Sequence, residues 1–415
     1  MKKLLSVLMA VTMLFSGVIF ASAKNKTQLH FGDDGRFKIL IFADIQSGYP
    51  VGNALTAFIT EALDEAEPDL VVFLGDNIMR AEDGTTESYL KGYDEVLPLL
   101  EEREIPFTLV FGNHDYEVAP VELRDNLLAI YRQYDGCLAY DADPSLHGCG
   151  THNLPILSSD GKKIAYNLWF FDSGDYVYNE DGSKKYYDCV RADQIEWYKN
   201  KSNELKAANG GELVPSLAFQ HIIPQEVTQT VMFSLPFQLG KLTKNFTDGT
   251  SVTYLPNYFA FEGILSEIPC PSQDNEGQWD AFVEQGDVKA CFFGHDHVNG
   301  FIADVDGVDG VNVPGSTFKS YNSTTDQGAM LVTLNESDLS VYETEMLYVS
   351  ELAVKDGSSI PEQEHSESVT NYKFRTVLRK LAHGILDLLR AAYRALPGLV
   401  ERIPELIERL PEIIK

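Results

Sequence analysis

From residue 37 onward the chain alternates short, nearly unbroken apolar runs with longer stretches in which apolar residues recur at helical spacing. Residues 37–43 read as a buried strand that Asp44 ends. Residues 53–66 carry the helical period, and 69–74 form a second buried strand, closed by Gly75, Asp76 and Asn77. A helix between Ser88 and Glu102 leads to a third strand at 107–111, followed at once by Gly112, Asn113, His114 and Asp115. Two strand-helix-strand units in succession predict an α/β layered domain, whose ligands gather at the carboxyl ends of its strands.

Further on, a helix is expected within residues 121–134, then a polar loop with Gly and Cys to about Lys162. A strand at 164–171, a helix over 192–208 and a strand at 214–220 ending at His221 come next. Residues 228–275 are long and irregular, with aromatics and prolines, and are the candidate substrate-facing insert. An apolar run at 288–293 ends in Gly294, His295, Asp296 and His297. Short alternating segments around 300–305, 329–334 and 339–347 read as strands of a second sheet.

The amino-terminal end follows another pattern. Lys2 and Lys3, an uncharged apolar run from Leu4 to Phe20, and then Ala21, Ser22 and Ala23 form the three-part signature of a secretory signal. Residues 1–23 are therefore expected to be removed, placing the mature chain outside the cell or in its envelope. The alternative is an uncleaved anchor, the run being near the lower limit for spanning a bilayer. The formal charge is −29 over 415 residues, and losing the two lysines makes it −31. Such acidity argues against a nucleic-acid partner.

Cysteines fall at 137, 149, 189, 270 and 291, an odd number in a chain expected to be exported. At least one is free unless it pairs with another chain. Cys137 and Cys149 are spaced to permit a disulfide, although sequence leaves the pairing open. No Cys-x-x-Cys spacing supports a zinc ribbon.

Residues 355–370, rich in Ser, Glu and Pro, read as a linker, beyond which the composition changes. Residues 372–415 hold nine Lys or Arg against five Asp or Glu, a local +4 in an acidic chain. Phe374, Val377, Leu378, Leu381, Ile385, Leu388, Leu389 and Ala392 share one helical face. Pro397, Pro404 and Pro411 then break the pattern into kinked amphipathic turns. Two readings stand: a helix packed on the main domain, or a basic element for a membrane surface, cell envelope or partner.

Five apolar runs end in side chains of metal-binding type: Asp44 with Gln46, Asp76, Asn113 with His114, His221, and His295 with His297. One Asp at a strand end is commonly a cap or turn former, and a lone His is more often a satisfied core residue. Five such endings, all of oxygen or imidazole type, are hard to assign to caps.

Their order resembles that of the calcineurin-like metallophosphoesterases, whose motifs are D-x-H, GD, GNH[DE], a separate His and GHxH. Here they read Asp44-Ile45-Gln46, Gly75-Asp76-Asn77, Gly112-Asn113-His114-Asp115, His221 and Gly294-His295-Asp296-His297, spread over residues 38–347. The GNHD run, the residues from His221 to Pro224, and Gly294 to Asn299 look most like the branch related to purple acid phosphatases. The resemblance implies a four-layer α/β/β/α sandwich of two facing mixed sheets flanked by helices, to which this chain adds its helical tail. It also implies two divalent or trivalent ions (Mn, Fe or Zn), with Asp44, Gln46, Asp76 and His297 holding one. Asn113, His221, His295 and the shared Asp76 would hold the other. Such a pair activates a water for direct attack on phosphorus. His114 would serve the leaving oxygen as proton donor or charge stabiliser, oriented by Asp115.

Two positions depart from the family pattern. Gln46 stands where the motif has His, and an amide oxygen is a harder, weaker ligand for zinc or iron. Met79 stands where purple acid phosphatases proper have Tyr, so no tyrosinate-to-iron colour is expected. Gly-x-Ser-x-Gly, Gly-x-x-x-x-Gly-Lys and Gly-x-Gly-x-x-Gly after a strand are all absent, which removes serine-hydrolase and nucleotide-binding readings. The sequence thus predicts an exported phosphoesterase acting on a phosphate ester, the alternative being a non-catalytic cell-surface binding protein on the same fold.

Overall fold

The structure, a computed structural model, describes residues 28–234, 242–245, 251–322, 326–361 and 388. The expected signal, most of the linker and all of the tail but Leu388 lie outside these residues. Two sheets carry the fold. The first runs β17-β16-β1-β2-β3, with β1 (Arg36–Phe42), β2 (Leu70–Leu74) and β3 (Phe107–Val110) parallel, and β16 (Gly328–Asn335) and β17 (Asp338–Tyr348) added antiparallel. The second runs β12-β14-β15-β13-β8-β5-β4. Its centre is parallel: β5 (Ile164–Phe170), β8 (Ser216–Phe219), β13 (Val288–Phe293) and β15 (Val308–Asn312). Its margins, β4 (His152–Leu157), β14 (Gly300–Val305) and β12 (Glu262–Ile264), are antiparallel.

Period-two alternation assigns each apolar side chain to a layer. Ile39 and Ile41 of β1 and Val72 of β2 face Leu168, Phe170, Phe219 and Phe292 in the core between the sheets. There the rings of Phe170, Phe219 and Phe292 stack at 5.0 and 5.3 Å. The intervening Leu40, Phe42, Val71 and Phe73 face outward onto the helix Asn53–Ala66, through Leu55, Phe58, Ile59 and Ala62. On the other side Trp169, Phe171, Cys291 and Phe293 meet the helices Ala192–Ala208, Gln225–Val231 and Gln278–Gln285. The layers are therefore α/β/β/α. Burial of each such side chain stabilises by about 1.5–3 kcal/mol, and a one-residue slip would turn a whole strand inside out, so register is firmly set.

Several elements differ from the sequence expectation. Segments 329–334 and 339–347 extend the first sheet rather than the second, because alternation shows which face is apolar and not which edge is open. β16 pairs with the free edge of β1, Ile39 opposite Val332. The expected loop before Lys162 contains β4. The expected irregular insert contains a small antiparallel sheet of β9 (Met232–Ser234), β10 (Leu242–Asn245) and β11 (Ser251–Pro256). A hairpin of β6 (Tyr176–Tyr178) and β7 (Lys184–Tyr187) was not foreseen. The possible disulfide between Cys137 and Cys149 is not formed, Cys137 being buried under the first helical layer. The start of the expected linker is fastened down, with Ile360 buried and Ser359 donating to Glu61 at 2.8 Å. Among the described residues no helix is long and apolar enough to cross a membrane.

Candidate metal centre

The parallel strands of both sheets deliver their carboxyl ends to one place. Past β1 and β2 the two loops stay zipped: the Asp44 amide donates to the Gly75 carbonyl at 3.1 Å and the Gln46 amide to the Asp76 carbonyl at 2.9 Å. The second sheet is tied in where His221 Nδ1 meets the Leu74 carbonyl at 3.0 Å. Close approach leaves no room for side chains at the motif glycines. A Cβ on Gly112 would lie 2.3 Å from Asp76 Oδ1, and one on Gly75, at φ +86°, 2.4 Å from His221 Nδ1.

Asp44, Gln46, Asp76, Asn113, His221, His295 and His297 are all buried together here. Asp76, His221 and His295 form one group able to hold a metal ion, and Asp44, Asp76 and His297 a second, with Asp76 common to both. Asp44, Gln46, Asp76 and His295 adopt left-handed backbone, at φ 49°, 44°, 50° and 73°. Such conformations cost on the order of 1–3 kcal/mol each and persist where the surroundings over-determine them.

The protonation pattern tests whether a cation fits. A carbonyl only accepts, so His221 Nδ1 donates to Leu74 and His297 Nδ1 donates to the Tyr321 carbonyl at 2.8 Å. Each ring then turns Nε2 to carboxylate oxygen, His221 at 3.3 Å from Asp76 Oδ2 and His297 at 3.4 Å from Asp44 Oδ1. A lone pair facing a carboxylate at that distance repels unless a cation intervenes. With protons as the only cations, burial lowers His221 but the Asp76 and Asp44 carboxylates outweigh it and push the ring up to about 10. His297 goes to about 9, burial again being outweighed by Asp44. Asp76 is held low: burial raises it, and His221, with His114 and His295, more than offsets that. Asp44 Oδ1, Gln46 Oε1, Asn113 Oδ1 and His221 Nε2 are buried without a hydrogen-bond partner. An unsatisfied buried polar atom costs about 1–3 kcal/mol. The donor set, oxygen and imidazole sharing one carboxylate, suits borderline transition-metal ions.

His114 stands apart. Its side chain is 42% exposed, beside and not among the buried group, and its amide donates to Asp76 Oδ1 at 2.8 Å. Asp115, expected to orient it, does something else. Its carboxylate accepts from the backbone amides of Gly112, Asn77 and Ile78 at 2.8, 2.9 and 3.2 Å, fastening the β3 turn to the β2 loop. Burial and the nearby Asp76 carboxylate push it up to about 7 against those donors. The carboxylate at the His114 ring is Glu117, whose Oε2 lies 2.9 Å from Nδ1. One helical turn brings it there, since both sit on the helix Asn113–Val118.

Three aromatic neighbours lay outside the sequence reading. Tyr321 stacks on His297 with centroids 4.3 Å apart, Tyr187 sets its edge to His295 at 4.4 Å, and the Tyr176 hydroxyl accepts from Asn113 Nδ2 at 3.1 Å. Tyr176 and Tyr187 belong to the β6-β7 hairpin, whose signal was available: Asp181-Gly182 between alternating aromatic segments.

Residues 37–299 match the family described as calcineurin-like phosphoesterase. The chain is similar to an Arabidopsis thaliana protein named "Probable inactive purple acid phosphatase 14", 28% identical over 71% of this chain and 74% of that one. It is also similar to "Probable inactive purple acid phosphatase 29" of Arabidopsis thaliana, 27% identical over 74% of this chain and 78% of the other. Among solved structures, a dimetal phosphatase from Danio rerio matches 75% of this chain and 98% of its own at a TM-score of 0.44 and 12% identity.

Proposed function

Because the chain belongs to the calcineurin-like phosphoesterase family, we propose that it hydrolyses a phosphate ester at a dinuclear metal centre built from the strand ends described above. The observation that carries this reading is the convergence of His221 Nε2 and His297 Nε2 on the Asp76 and Asp44 carboxylates, where only a cation relieves the repulsion. Asp44, Gln46, Asp76 and His297 would hold one ion and Asp76, Asn113, His221 and His295 the other. Bound there, two cations supply a water of lowered pKa and positive charge for the phosphoryl oxygens.

The chain's own groups do the rest. Leu74 and Tyr321 carbonyls fix the tautomers that turn Nε2 inward. Neutral amide and imidazole ligands keep the net charge positive enough to attract phosphate. His114, exposed where the buried ligands are not, gives a proton or positive charge to the leaving oxygen. Such help is worth about a hundredfold to ten-thousandfold.

Export is part of the proposal, on the pattern of residues 1–23, as is contact of residues 372–415 with an anionic surface or the cell envelope. A second reading, a metal-holding protein of the same fold without turnover, is favoured by Gln46 and by the word "inactive" in the relatives' names. Reloading the metal-stripped chain with Mn²⁺ or Zn²⁺ and assaying phosphomonoesters and diesters separates the two. Ester hydrolysis that a chelator abolishes supports the enzyme, and full metal loading with no hydrolysis supports the other.

A further inference from the structure

A closed circuit of side chains joins the two neighbours Asn113 and His114 through the β6-β7 hairpin. His114 Nδ1 meets Glu117 Oε2 at 2.9 Å. The other oxygen of Glu117 takes the Lys184 ammonium, which lies 3.9 Å from the centre of the Tyr176 ring. The Tyr176 hydroxyl then accepts from Asn113 Nδ2 at 3.1 Å. Tyr176 is itself held by stacking on Tyr187 at 5.2 Å.

Each link settles an orientation. An ionised carboxylate has no hydrogen to give, so His114 Nδ1 must carry one, and Nε2 is left as the ring's remaining polar atom. Lys184 keeps Glu117 ionised: burial raises its carboxyl, but Lys184 and then His114 outweigh that and hold it below the ordinary range. At Asn113 the amide nitrogen is committed to Tyr176, so the oxygen turns the other way, where it is buried without a hydrogen-bond partner. A half-exposed ion pair such as Lys184 with Glu117 contributes little to stability, so the circuit's use is geometric.

We infer that the β6-β7 hairpin is a positioning element of the site. Glu117, held by Lys184, fixes the His114 ring with Nδ1–H toward its carboxylate, and Tyr176 fixes the Asn113 amide with its oxygen toward the metal centre. The roles of His114 and Asn113 rest on the phosphoesterase reading, but the two orientations can be measured without turnover.

The test uses the full chain labelled with ¹⁵N-histidine, at a pH where the His114 ring is neutral, with His114→Gln assigning its resonances. The long-range ¹H–¹⁵N spectrum should show the Nδ1–H form of His114 in the native chain and in Glu117→Gln, whose carbonyl oxygen still accepts. In Glu117→Ala and Lys184→Met it should move toward Nε2–H. In Tyr176→Phe the tautomer should stay, while calorimetric titration with Mn²⁺ should show one of two sites weakened about 10- to 100-fold, as for lost outer partners of metal ligands. An unchanged tautomer in folded Glu117→Ala, or unchanged Mn²⁺ affinity in folded Tyr176→Phe, overturns the inference. Both shifts in a chain with no ester hydrolysis would leave the positioning intact and remove the phosphoesterase reading alone.

Discussion

His221 Nε2 lies 3.3 Å from Asp76 Oδ2, both groups buried at the junction of the two sheets, with Nδ1 of the same ring already committed to the Leu74 carbonyl. The relationship sets a pH dependence. In the metal-free chain His221 and His297 rise from the usual 6.5 to about 10 and about 9. Between 6.5 and those values the folded state binds more protons than the unfolded one, so stability falls as pH rises. Asp115, at about 7, has largely titrated before this window ends. Thermal melts of the metal-free chain should therefore show a Tm that declines from pH 7.5 to 9. The metal-loaded chain should lack that decline, because metal ions replace the protons and bind more tightly as pH rises. A rising Tm in the metal-free chain would contradict the assignment.

His114→Ala should lower turnover about a hundredfold to ten-thousandfold. Metal content should be unchanged, because the ring lies outside the buried ligand group. The check is kcat on an aryl phosphate beside elemental analysis of the same sample, and equal kcat in the two proteins removes His114 from the chemistry.

Gln46→His should tighten zinc at the centre about tenfold, or about 1.4 kcal/mol. Gln46 Nε2 stands 3.5 Å from the shared Asp76 Oδ2 while its Oε1 is buried without a hydrogen-bond partner, so a ligand is wanted at this position and an amide is a weak one. Competition with a chromogenic chelator measures it. Weaker zinc binding by the His variant would place Gln46 outside the ligand set.

Gly112→Ala should destabilise the fold by about 1–3 kcal/mol, the usual range for overpacking. The new Cβ would sit 2.3 Å from Asp76 Oδ1, 2.5 Å from the Asp76 backbone nitrogen and 2.8 Å from His221 Cδ2, so backbone as well as side chains must shift. Urea unfolding gives the energy, and a metal titration of the same variant should show weaker binding.

Much of this site was legible because a buried parallel strand needs a continuous apolar run, and the first polar residue after it marks the sheet's carboxyl edge. That logic brings Asp44, Asp76, Asn113, His221, His295 and His297 to the strand ends where the structure buries them together, and sets out the layers behind them. It could not say which sheet receives residues 329–347, since alternation fixes a face and leaves pairing to tertiary contact. The family resemblance assigned Asp115 to His114, whereas one helical turn places Glu117 there and the Asp115 carboxylate accepts from the backbone amides of Gly112, Asn77 and Ile78. Tyr176, Tyr187 and Tyr321 act across long sequence distances and carry no motif. The hairpin bearing the first two had a turn signal in Asp181-Gly182 that periodicity over strands of three and four residues is too short to strengthen.

The central claim is that Asp76 is shared by two ions in a centre that hydrolyses phosphate esters. The direct measurement is paired metal content and phosphate release, on one reloaded sample each of the native chain and Asp76→Asn. The native chain should hold two ions and release phosphate in proportion to its occupancy, while Asp76→Asn should hold neither and release none. Two ions retained in the variant would contradict the shared carboxylate, and a native chain with both ions bound and no phosphate released would contradict the enzyme.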